Sequence, residues 1–434
     1  MIISLRFRFL IVLLVVLLTD RAFTAFAFED ADDPVLWMCM QLLTAGMLGL
    51  SVLYLRCFSP TMRKWYFVML ACLAALALES RIGWDTWMVY PHVFNKLLVI
   101  MPLFAVYGFY RRYGMPPLSL LMGFLLVGLA ASLVINFPEA LSLASFVDNE
   151  RGFNVESTYL LLLLALYYFN QYMAKGGLPR LLVFFVALGM IVFLQHRTVW
   201  LCTLLALTLN VFMLRRTKGV TLSFQRFMPL FVLPIVVALG GGIGVVLNNP
   251  EVLARLETSI EDIQNPDKQG TGSWRLQQFR SYEPFIQEHP VAGMRLKGFE
   301  LPIQFYSTES KLKVWKDGTG HHFHSWYVDR LFYFGIIGVL LVLVVPIKLV
   351  IRRLRSPEPL DANSAAFLAF LGSSLLYSFS YDWPYYMYSV YGFALAIMDP
   401  LPVAAPAVYQ PRVPRRTRRT EEAISSTAVA HADA

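Results

Sequence analysis

Residues 326–349 read WYVDRLFYFGIIGVLLVLVVPIKL, and this stretch is apolar apart from Asp329, Arg330 and Lys348. A helix needs about 20 apolar residues to cross the hydrocarbon core of a bilayer. The stretch therefore predicts a transmembrane helix. Similar runs recur along the chain and predict about twelve spans, at residues 9–28, 35–55, 65–80, 93–110, 118–136, 158–174, 181–196, 198–214, 227–247, 326–349, 363–381 and 385–399.

The composition of the 434-residue chain agrees with a membrane location. Hydrophobic residues make up 57% and charged residues 15%, whereas a soluble domain carries about 25% charged residues. The net charge of +8 does not indicate nucleic-acid binding, because the basic residues stand in short clusters between apolar runs. The four cysteines show no metal-ligand spacing and predict no disulfide framework. The predicted fold class is an all-α polytopic membrane protein.

Charges in the connections between the predicted spans alternate along the chain. Every second connection is basic, as is the tail; these clusters are Arg6 and Arg8, Arg56 to Lys64, Arg111 and Arg112, Lys175 and Arg180, Arg215 to Arg226, Lys348 to Arg355, and Arg412 to Arg419. The intervening connections are acidic or nearly neutral, at Glu29–Asp33, Glu79–Asp85, Glu139–Glu156 and Tyr381–Pro384. Basic connections stay on the cytoplasmic side. Both termini are therefore predicted to be cytoplasmic.

Two spans depart from a simple pattern. The first contains Asp20 and Arg21, and residues 25–27 (Ala-Phe-Ala) resemble a signal-peptidase site, so cleavage there is an alternative that leaves the later topology unchanged. The run 65–80 is short for a span. It is expected to continue into an interfacial stretch that is rich in aromatic residues, namely Trp84, Trp87 and Tyr90.

The predicted organisation has four parts. Residues 1–247 hold spans 1–9, residues 248–325 form a long external loop, and residues 326–399 hold spans 10–12. Residues 400–434 are Pro-rich and then basic, which is typical of a disordered cytoplasmic tail that touches anionic lipid. No internal repeat is evident.

The loop 248–325 carries two predicted helices. The first covers residues 251–263, and Ser273 is expected to cap a second helix that runs from Trp274 to about Glu288. Apolar residues of the second helix predict a buried stripe, at Leu276, Phe279, Phe285 and Ile286. His289-Pro290 ends that helix. The chain then returns to the membrane at Trp326, so His324 is expected at the membrane surface, at the mouth of a cavity.

Four motifs stand in a set order on the predicted external side. They are Arg197 at the end of a mid-chain span, Trp274-Arg275-Leu276, His289-Pro290-Val291-Ala292-Gly293, and His324-Ser325 followed by Gly335-Ile336-Ile337-Gly338. In this order they resemble the superfamily of O-antigen ligases and O-antigen (Wzy-type) polymerases. Two positions depart from the usual pattern: Ser325 stands where asparagine is common, and Met294-Arg295 fills a turn that is usually Gly-x-Gly.

The resemblance implies a GT-C-like membrane glycosyltransferase of the bacterial inner membrane, with O-antigen ligase favoured. Such an enzyme transfers a polysaccharide from undecaprenyl diphosphate to a hydroxyl of lipid A-core at the periplasmic face, in lipopolysaccharide biosynthesis, without a cofactor or metal. The alternative is an O-antigen or exopolysaccharide polymerase that joins lipid-linked repeat units. One long loop late in the chain favours the ligase arrangement.

The chemistry of such a transfer suggests roles for particular residues. Guanidinium groups stay charged and bind phosphate oxygens through paired hydrogen bonds, so Arg197 and Arg275 are the leading candidates for holding the diphosphate. Histidine has an ordinary pKa near 6.5, and His324 is the candidate general base. Further substrate-binding roles are expected for Arg295, Arg330, Asp329, His321 and His322.

Each of these residues also has a simpler explanation. Arg197 lies at a membrane boundary, where a long basic side chain can reach the headgroups. Arg275 could be a surface residue of its helix, and His324 could cap the next one. Asp329 and Arg330 could pair within the bundle, since an isolated charge in a bilayer is costly. A metal site at His321, His322 and His324 would need further ligands.

Two other function classes compete with glycan transfer by a histidine base. A metal-dependent membrane glycosyltransferase would use acidic residues of the first external loop, and Asp30-Ala-Asp32 is present there. However, acidic residues are also what the charge rule predicts at that position. A transporter would fit twelve spans, but transporters commonly show repeats and broken helices at the midplane. The long loop has no role in that scheme.

Overall fold

Helices form the regular structure of the described residues, which contain no strand. The computed structural model describes residues 12–13, 15–114, 116–148, 152–220, 223–237, 248–264, 271–301 and 323–399. The helices are α1 (Arg21–Thr24), α2 (Pro34–Leu53), α3 (Pro60–Trp84), α4 (Pro91–Leu98), α5 (Met101–Tyr113), α6 (Leu118–Ile135), α7 (Leu143–Asp148), α8 (Val155–Lys175), α9 (Leu178–Phe193), α10 (Arg197–Leu214), α11 (Phe224–Val237), α12 (Pro250–Gln264), α13 (Thr271–Glu288), α14 (Lys297–Glu300), α15 (Trp326–Arg355), α16 (Ala362–Tyr377) and α17 (Tyr385–Met398). The predicted all-α class is confirmed.

Side-chain caps and prolines determine where several helices begin. Asp33 Oδ1 accepts a backbone N–H at 2.7 Å ahead of α2, and Ser59 and Asp361 cap α3 and α16 in the same way. Pro34 and Pro60 take the first helical position, where a missing N–H costs nothing. These helices therefore begin just after the polar connections between the predicted spans.

Six helical segments among the described residues are long and apolar enough to cross a membrane. They are α2, α3, α4 with α5, α6, α10 and α15. Helices α9, α11 and α16 are apolar but shorter. The chain is thus a multi-pass membrane protein, while the number of twelve spans stays a prediction.

Several predicted spans have different bounds in the structure. The run 65–80 lies inside α3, which extends from Pro60 to Trp84. The charged residues at both ends of α3 can reach the polar headgroups, so they do not end the helix. The helix predicted at 363–381 ends at Tyr377. The predicted span 227–247 is described only as far as Val237, and the predicted tail 400–434 lies outside the described residues.

Two other predicted spans are interrupted. Within 9–28, the helical residues 15–17 give way to a turn before Asp20. Asp20 Oδ1 accepts the Ala22 N–H at 3.0 Å and the Ser157 hydroxyl at 2.6 Å, and such a side chain competes with a continuous helix for backbone groups. Within 93–110, the chain breaks between α4 and α5, where Pro102 has no N–H to offer the preceding turn.

Helix α8 lies at the centre of the bundle, and most of its side chains are buried. Helices α9, α10 and α16 pack against it. Asn170 of α8 donates to Asn210 Oδ1 at 2.9 Å and to Ala362 O at 2.7 Å. Since a buried polar group without a partner is costly, these bonds set the register of three helices.

Helices α10 and α16 run antiparallel. Thr217, just after α10, pairs with Leu360, just before α16. Arg197, at the start of α10, therefore lies at the same end of the bundle as Tyr377, at the end of α16. We call this the loop end, because Trp326 at the start of α15 also donates its N–H to Ser378 O there, at 3.0 Å.

The loop helices correct two details of the sequence prediction. Helix α12 (Pro250–Gln264) confirms the first predicted helix, and α13 ends at Glu288 as predicted. However, α13 begins at Thr271, so Ser273 lies within it and is not its cap. Phe279 is 37% exposed, whereas Tyr282 is fully buried and anchors the helix instead. The helical spacing of apolar residues predicted a buried Phe279, but its side chain lies on an exposed part of α13.

Candidate active site

Helix α15 is broken at Gly335, where φ is +61° and the backbone leaves the helical path. The break frees backbone groups that the turn after α13 then satisfies. Met294 N donates to Phe332 O and Arg295 N to Tyr333 O, both at 2.8 Å, and Ile336 N donates to Pro290 O at 2.9 Å. The predicted 326–349 span is therefore two helical pieces joined by a docked turn.

Glycine is required on both sides of this contact. A Cβ on Gly335 would collide with the backbone of Val291, and a Cβ on Gly293 would lie 2.5 Å from Phe334 N. Gly293 also has φ of +66°. The two glycine motifs of the sequence thus meet in space and hold the loop against the bundle. The replacement of Gly-x-Gly by Met294-Arg295 does not prevent this close contact.

His324 lies between two anchored residues at the loop end. On one side Phe323 is buried, with its ring 4.5 Å from that of Tyr282 and 5.1 Å from that of Phe332. On the other side Ser325 caps α15, accepting the Val328 N–H at 3.4 Å. The His324 side chain itself is partly exposed. The backbone on both sides is therefore held while the imidazole can be reached.

Ser325 and Trp326 attach this segment to the turn after α16. The Ser325 hydroxyl donates to Ser378 O at 3.2 Å, and the Trp326 N–H also approaches Tyr381 O, at 3.3 Å. Trp326 is fully buried, and its indole stacks on that of Trp383 with ring centres 4.9 Å apart. Serine thus performs a capping function at the position where asparagine is common.

Arg275 reaches the same turn from the loop. Its guanidinium carbon lies 4.6 Å from the centre of the Tyr381 ring, and the Tyr381 ring is 5.1 Å from that of Tyr377. A cation over an aromatic face is attracted by the ring quadrupole. Arg275 and the segment that carries His324 are therefore both attached to one turn, residues 378–382.

Arg197 approaches the loop end from α10. The two residues before it are held firmly: Gln195 has φ of +54°, and His196 Nε2 lies 2.8 Å from Phe153 O. The loop helix α12 contacts this corner, where Arg255 Nε donates to Gln195 Oε1 at 3.2 Å. Arg197 thus shares one end of the bundle with Arg275 and His324.

Asp329 and Arg330 belong to a buried polar network rather than to an open surface, and each is 1% exposed. Lys96 of α4 pairs with Asp329 Oδ1 and lies 4.8 Å from the Tyr333 ring centre. Arg330 donates to Lys96 O and to the Tyr388 hydroxyl. The network joins α4, α15 and α17 below the segment that carries His324.

Two carboxyl groups at the loop end were missed from the sequence. Asp382 follows Tyr381 directly. Burial, with the Asp329 carboxylate nearby, raises the pKa of Asp382 to about 6 against the opposing charges of Arg330 and Lys96. Glu156 precedes the predicted span 158–174, and burial, followed by the charges of Asp20 and Asp382, raises its pKa to about 8. For Asp382 the available signal was an acidic residue between two aromatic residues, Tyr381 and Trp383, in a short connection with no other charge.

Arg295 lies at the rim of the loop and not among the buried residues. It has φ of +50°, is 45% exposed and pairs with Glu79 Oε2 of α3 at 2.8 Å. Nearby, Glu300 accepts hydrogen bonds from Trp84 Nε1 at 2.6 Å and from the Tyr90 hydroxyl at 2.7 Å. These contacts tie the loop to α3 and α4. His321 and His322 lie outside the described residues.

Two clefts flank α2. One, of about 570 Å³, is lined by Arg21, Trp37 and Glu156 among others. The other, of about 440 Å³, is lined by Trp37, His92 and Tyr385 among others. Within the described ranges, no group of three or more His, Cys, Asp or Glu side chains has the arrangement of a metal site.

Comparison with known proteins gives a family match for the middle part of the chain. Residues 182–343 match a family model described as O-antigen ligase. The matched segment runs from α9 into α15 and includes Arg197, Arg275 and His324. No curated protein matches the chain.

Proposed function

We propose that this chain, whose residues 182–343 belong to the O-antigen ligase superfamily, is an O-antigen ligase. In this proposal it transfers a polysaccharide from undecaprenyl diphosphate to a hydroxyl of lipid A-core. The observation that supports the proposal is that Arg275 lies on Tyr381 of the turn 378–382 while Ser325 and Trp326, next to His324, are bonded to the same turn. A base and a phosphate-binding cation at one membrane-facing turn are what such a transfer needs.

The reaction is a substitution at the sugar carbon that bears the diphosphate. The acceptor hydroxyl oxygen forms a bond to that carbon while the bond from the carbon to the diphosphate oxygen breaks. The electron pair of the broken bond goes to undecaprenyl diphosphate, and the hydroxyl proton goes to the imidazole of His324. A positioned base of this kind contributes about 10²–10⁴-fold to a rate.

In this proposal Arg275 and Arg197 bind the diphosphate and stabilise the charge that develops on it as it leaves. Fixed cations cost no reorganisation when the charge appears. The Tyr381 ring beneath the guanidinium would hold Arg275 in place. Arginine also presents two parallel N–H groups to phosphate oxygens, which lysine cannot do.

The remaining predicted residues take supporting roles in the proposal. Asp329 and Arg330 are positioning residues, because their charged groups already have partners inside the bundle. Arg295, with His321 and His322, would contact substrate at the entrance. The cleft of about 570 Å³ that is lined by Arg21 and Glu156 offers room for part of a lipid-linked substrate.

The proposed location is the bacterial inner membrane, with both termini in the cytoplasm and the site on the periplasmic side. This follows from the alternation of basic connections along the chain. The donor would be a glycan on undecaprenyl diphosphate and the acceptor lipid A-core. A metal-independent reaction is proposed, since arginines can supply the positive charge that a metal would otherwise provide.

The test is a reaction of the purified full chain with lipid-linked glycan and lipid A-core, with and without a chelator. We expect transfer that resists the chelator and falls about 10²–10⁴-fold in His324→Ala. His289→Ala is the matched control, because His289 is a half-exposed histidine of the same loop. Full transfer by His324→Ala would refute the role of His324. Product formed only from two lipid-linked repeats would identify a polymerase instead.

A further inference from the structure

A third cleft lies away from the candidate site, between α3 and the second half of α15. It has a volume of about 530 Å³, within the roughly 300–1,000 Å³ of small-ligand sites. Its walls are mainly apolar, and two lysines, Lys64 and Lys348, stand together at one end. Nothing in the proposed transfer uses this cleft.

The floor of the cleft is preformed. Trp65 Nε1 of α3 donates to Leu341 O of α15 at 2.6 Å, and this bond ties the two helices together. Trp65 is 4% exposed, and its ring lies 4.9 Å from that of Phe104 behind it. The cleft therefore does not depend on a ligand to hold its walls apart.

The length of the cleft matches one leaflet of a bilayer. Along α15 the lining runs from Ile337 to Lys348, which is roughly 16 Å at 1.5 Å per residue. Half of a bilayer's hydrocarbon core is about 15 Å. An acyl chain that enters from the lysine end would reach the middle of the membrane.

The lysines supply the charge complementarity. Lys64 and Lys348 are exposed, and both belong to connections that the charge pattern assigns to the cytoplasmic side. Among the described residues neither lysine has an acidic partner. An ammonium group at the headgroup level attracts anionic lipid, with a free energy of about 1 kcal/mol for each basic residue.

We propose that this cleft binds an anionic phospholipid of the cytoplasmic leaflet, with its phosphate at Lys64 and Lys348 and one acyl chain along the apolar walls. The lipid binds beside α15, on the far side of the Gly335 break from His324. The proposal does not depend on the reaction that the protein catalyses.

The test counts lipids bound to the purified full chain by native mass spectrometry, during titration with dioleoyl phosphatidylglycerol. Dioleoyl phosphatidylcholine, with the same chains and no net charge, and inorganic phosphate are the comparison ligands. We expect one phosphatidylglycerol to bind at least tenfold more tightly than phosphatidylcholine. Loss of both lysines in K64Q/K348Q should weaken it roughly 10- to 30-fold.

Two controls separate the cleft from general membrane charge. K175Q/K218Q removes two exposed lysines of other connections on the same predicted side and should bind normally. Val344→Trp fills the cleft but keeps both lysines, and it should also lose the bound lipid, whereas Leu204→Trp on the exposed face of α10 should not. The unfolding temperature without lipid checks that each variant is folded.

The proposal is overturned if K64Q/K348Q or Val344→Trp binds phosphatidylglycerol like the unaltered protein. Equal binding of the two phospholipids would remove the role of charge and also overturn it. Full displacement of phosphatidylglycerol by millimolar inorganic phosphate would show an anion site without an acyl chain, which contradicts the lipid assignment.

Discussion

Charged residues at the loop end serve different purposes. Asp329 and Arg330 are buried and bonded to Lys96 and Tyr388, while Arg275 of α13 rests on the ring of Tyr381. Transferring an ion from water into a membrane protein is costly unless it is paired. The buried pair therefore fits a positioning role, and the residues at the turn 378–382 fit contact with substrate.

The pKa of Asp382 leads to a prediction about pH. A pKa of about 6 means that the carboxylate is charged above pH 6 and becomes neutral as the pH falls through 6. Its attraction to Lys96 and Arg330 is then lost. We expect transfer to fall as the pH drops through 6, because Asp382 takes up a proton there and its attraction to Lys96 and Arg330 is lost.

Asp382→Asn isolates the contribution of the carboxylate. The variant should be about tenfold slower at pH 7.5, which corresponds to a loss of about 1.4 kcal/mol. Its rate should also lose the part of the fall near pH 6 that protonation of Asp382 causes, so its acid limb should be less steep. The pH profile of the purified enzyme measures both effects, and an unchanged acid slope would exclude Asp382 from this titration.

The Lys96–Asp329 pair predicts a large and non-additive effect on stability. Lys96→Met leaves the buried Asp329 carboxylate with only the more distant Arg330, whose Nε lies 3.9 Å from Asp329 Oδ2, and loss of one partner of a buried pair costs up to about 3–5 kcal/mol. The double variant Lys96→Met/Asp329→Leu removes both charges and should be more stable than Lys96→Met alone. Thermal unfolding of the full chain in detergent measures the difference, and equal stability of the single variant and the unaltered protein would contradict the pairing.

The broken helix α15 shows how one element organises the site. Four backbone groups freed at Gly335 form hydrogen bonds with the turn 290–295. The loop therefore docks through main-chain bonds, which do not depend on the identity of the side chains in the turn. Helix breaks inside a membrane are tolerated where such partners replace the lost bonds. The sequence motifs of the loop and of the span are therefore two halves of one contact.

Gly335→Ala tests this contact. Alanine at φ +61° is strained by about 1–3 kcal/mol, and its Cβ would collide with the Val291 backbone. We expect a lower unfolding temperature and faster hydrogen exchange in α13 and the turn 289–295. Gly189→Ala in α9 is the control, because a Cβ there meets no atom within 4 Å. Equal exchange in the two variants would mean that the loop docks without this glycine.

At the scale of the whole molecule, the loop is tied to the bundle at several places. The turn after α13 docks on α15, Glu300 accepts bonds from Trp84 and Tyr90, and Arg295 pairs with Glu79. All these contacts lie at the loop end, opposite the connection between α10 and α11. The topology predicted from charge therefore assigns each end of the bundle to one side of the membrane.

Single-cysteine labelling tests that assignment. In a variant that lacks the four native cysteines, Gln287→Cys on α13 should react with a membrane-impermeant maleimide in intact cells, because its loop is predicted to be external. Lys218→Cys, between α10 and α11, should react only after the cells are opened. Both positions are exposed. The reverse pattern would invert the predicted orientation.

The helical class, the membrane location and the order of the site motifs were determined by the sequence alone. Long apolar runs form helices in a bilayer, because a helix satisfies all its backbone hydrogen-bonding groups internally. Helix ends at capping residues such as Asp33 could also be inferred, because caps act locally. The breaks near Asp20 and at Gly335 could not, since each depends on partners far away in the chain.

Only the tertiary structure decided which residues share the site. It brings Arg275 to Tyr381, attaches the His324 segment to the same turn, and adds Asp382, whose carboxyl group looks ordinary in the sequence. It also buries Arg330 beside Tyr388. Hydrophobic periodicity and charge in a sequence indicate whether a single helix lies in lipid or in water. The burial, pKa and pairing of a side chain depend on which residues of neighbouring helices lie against it.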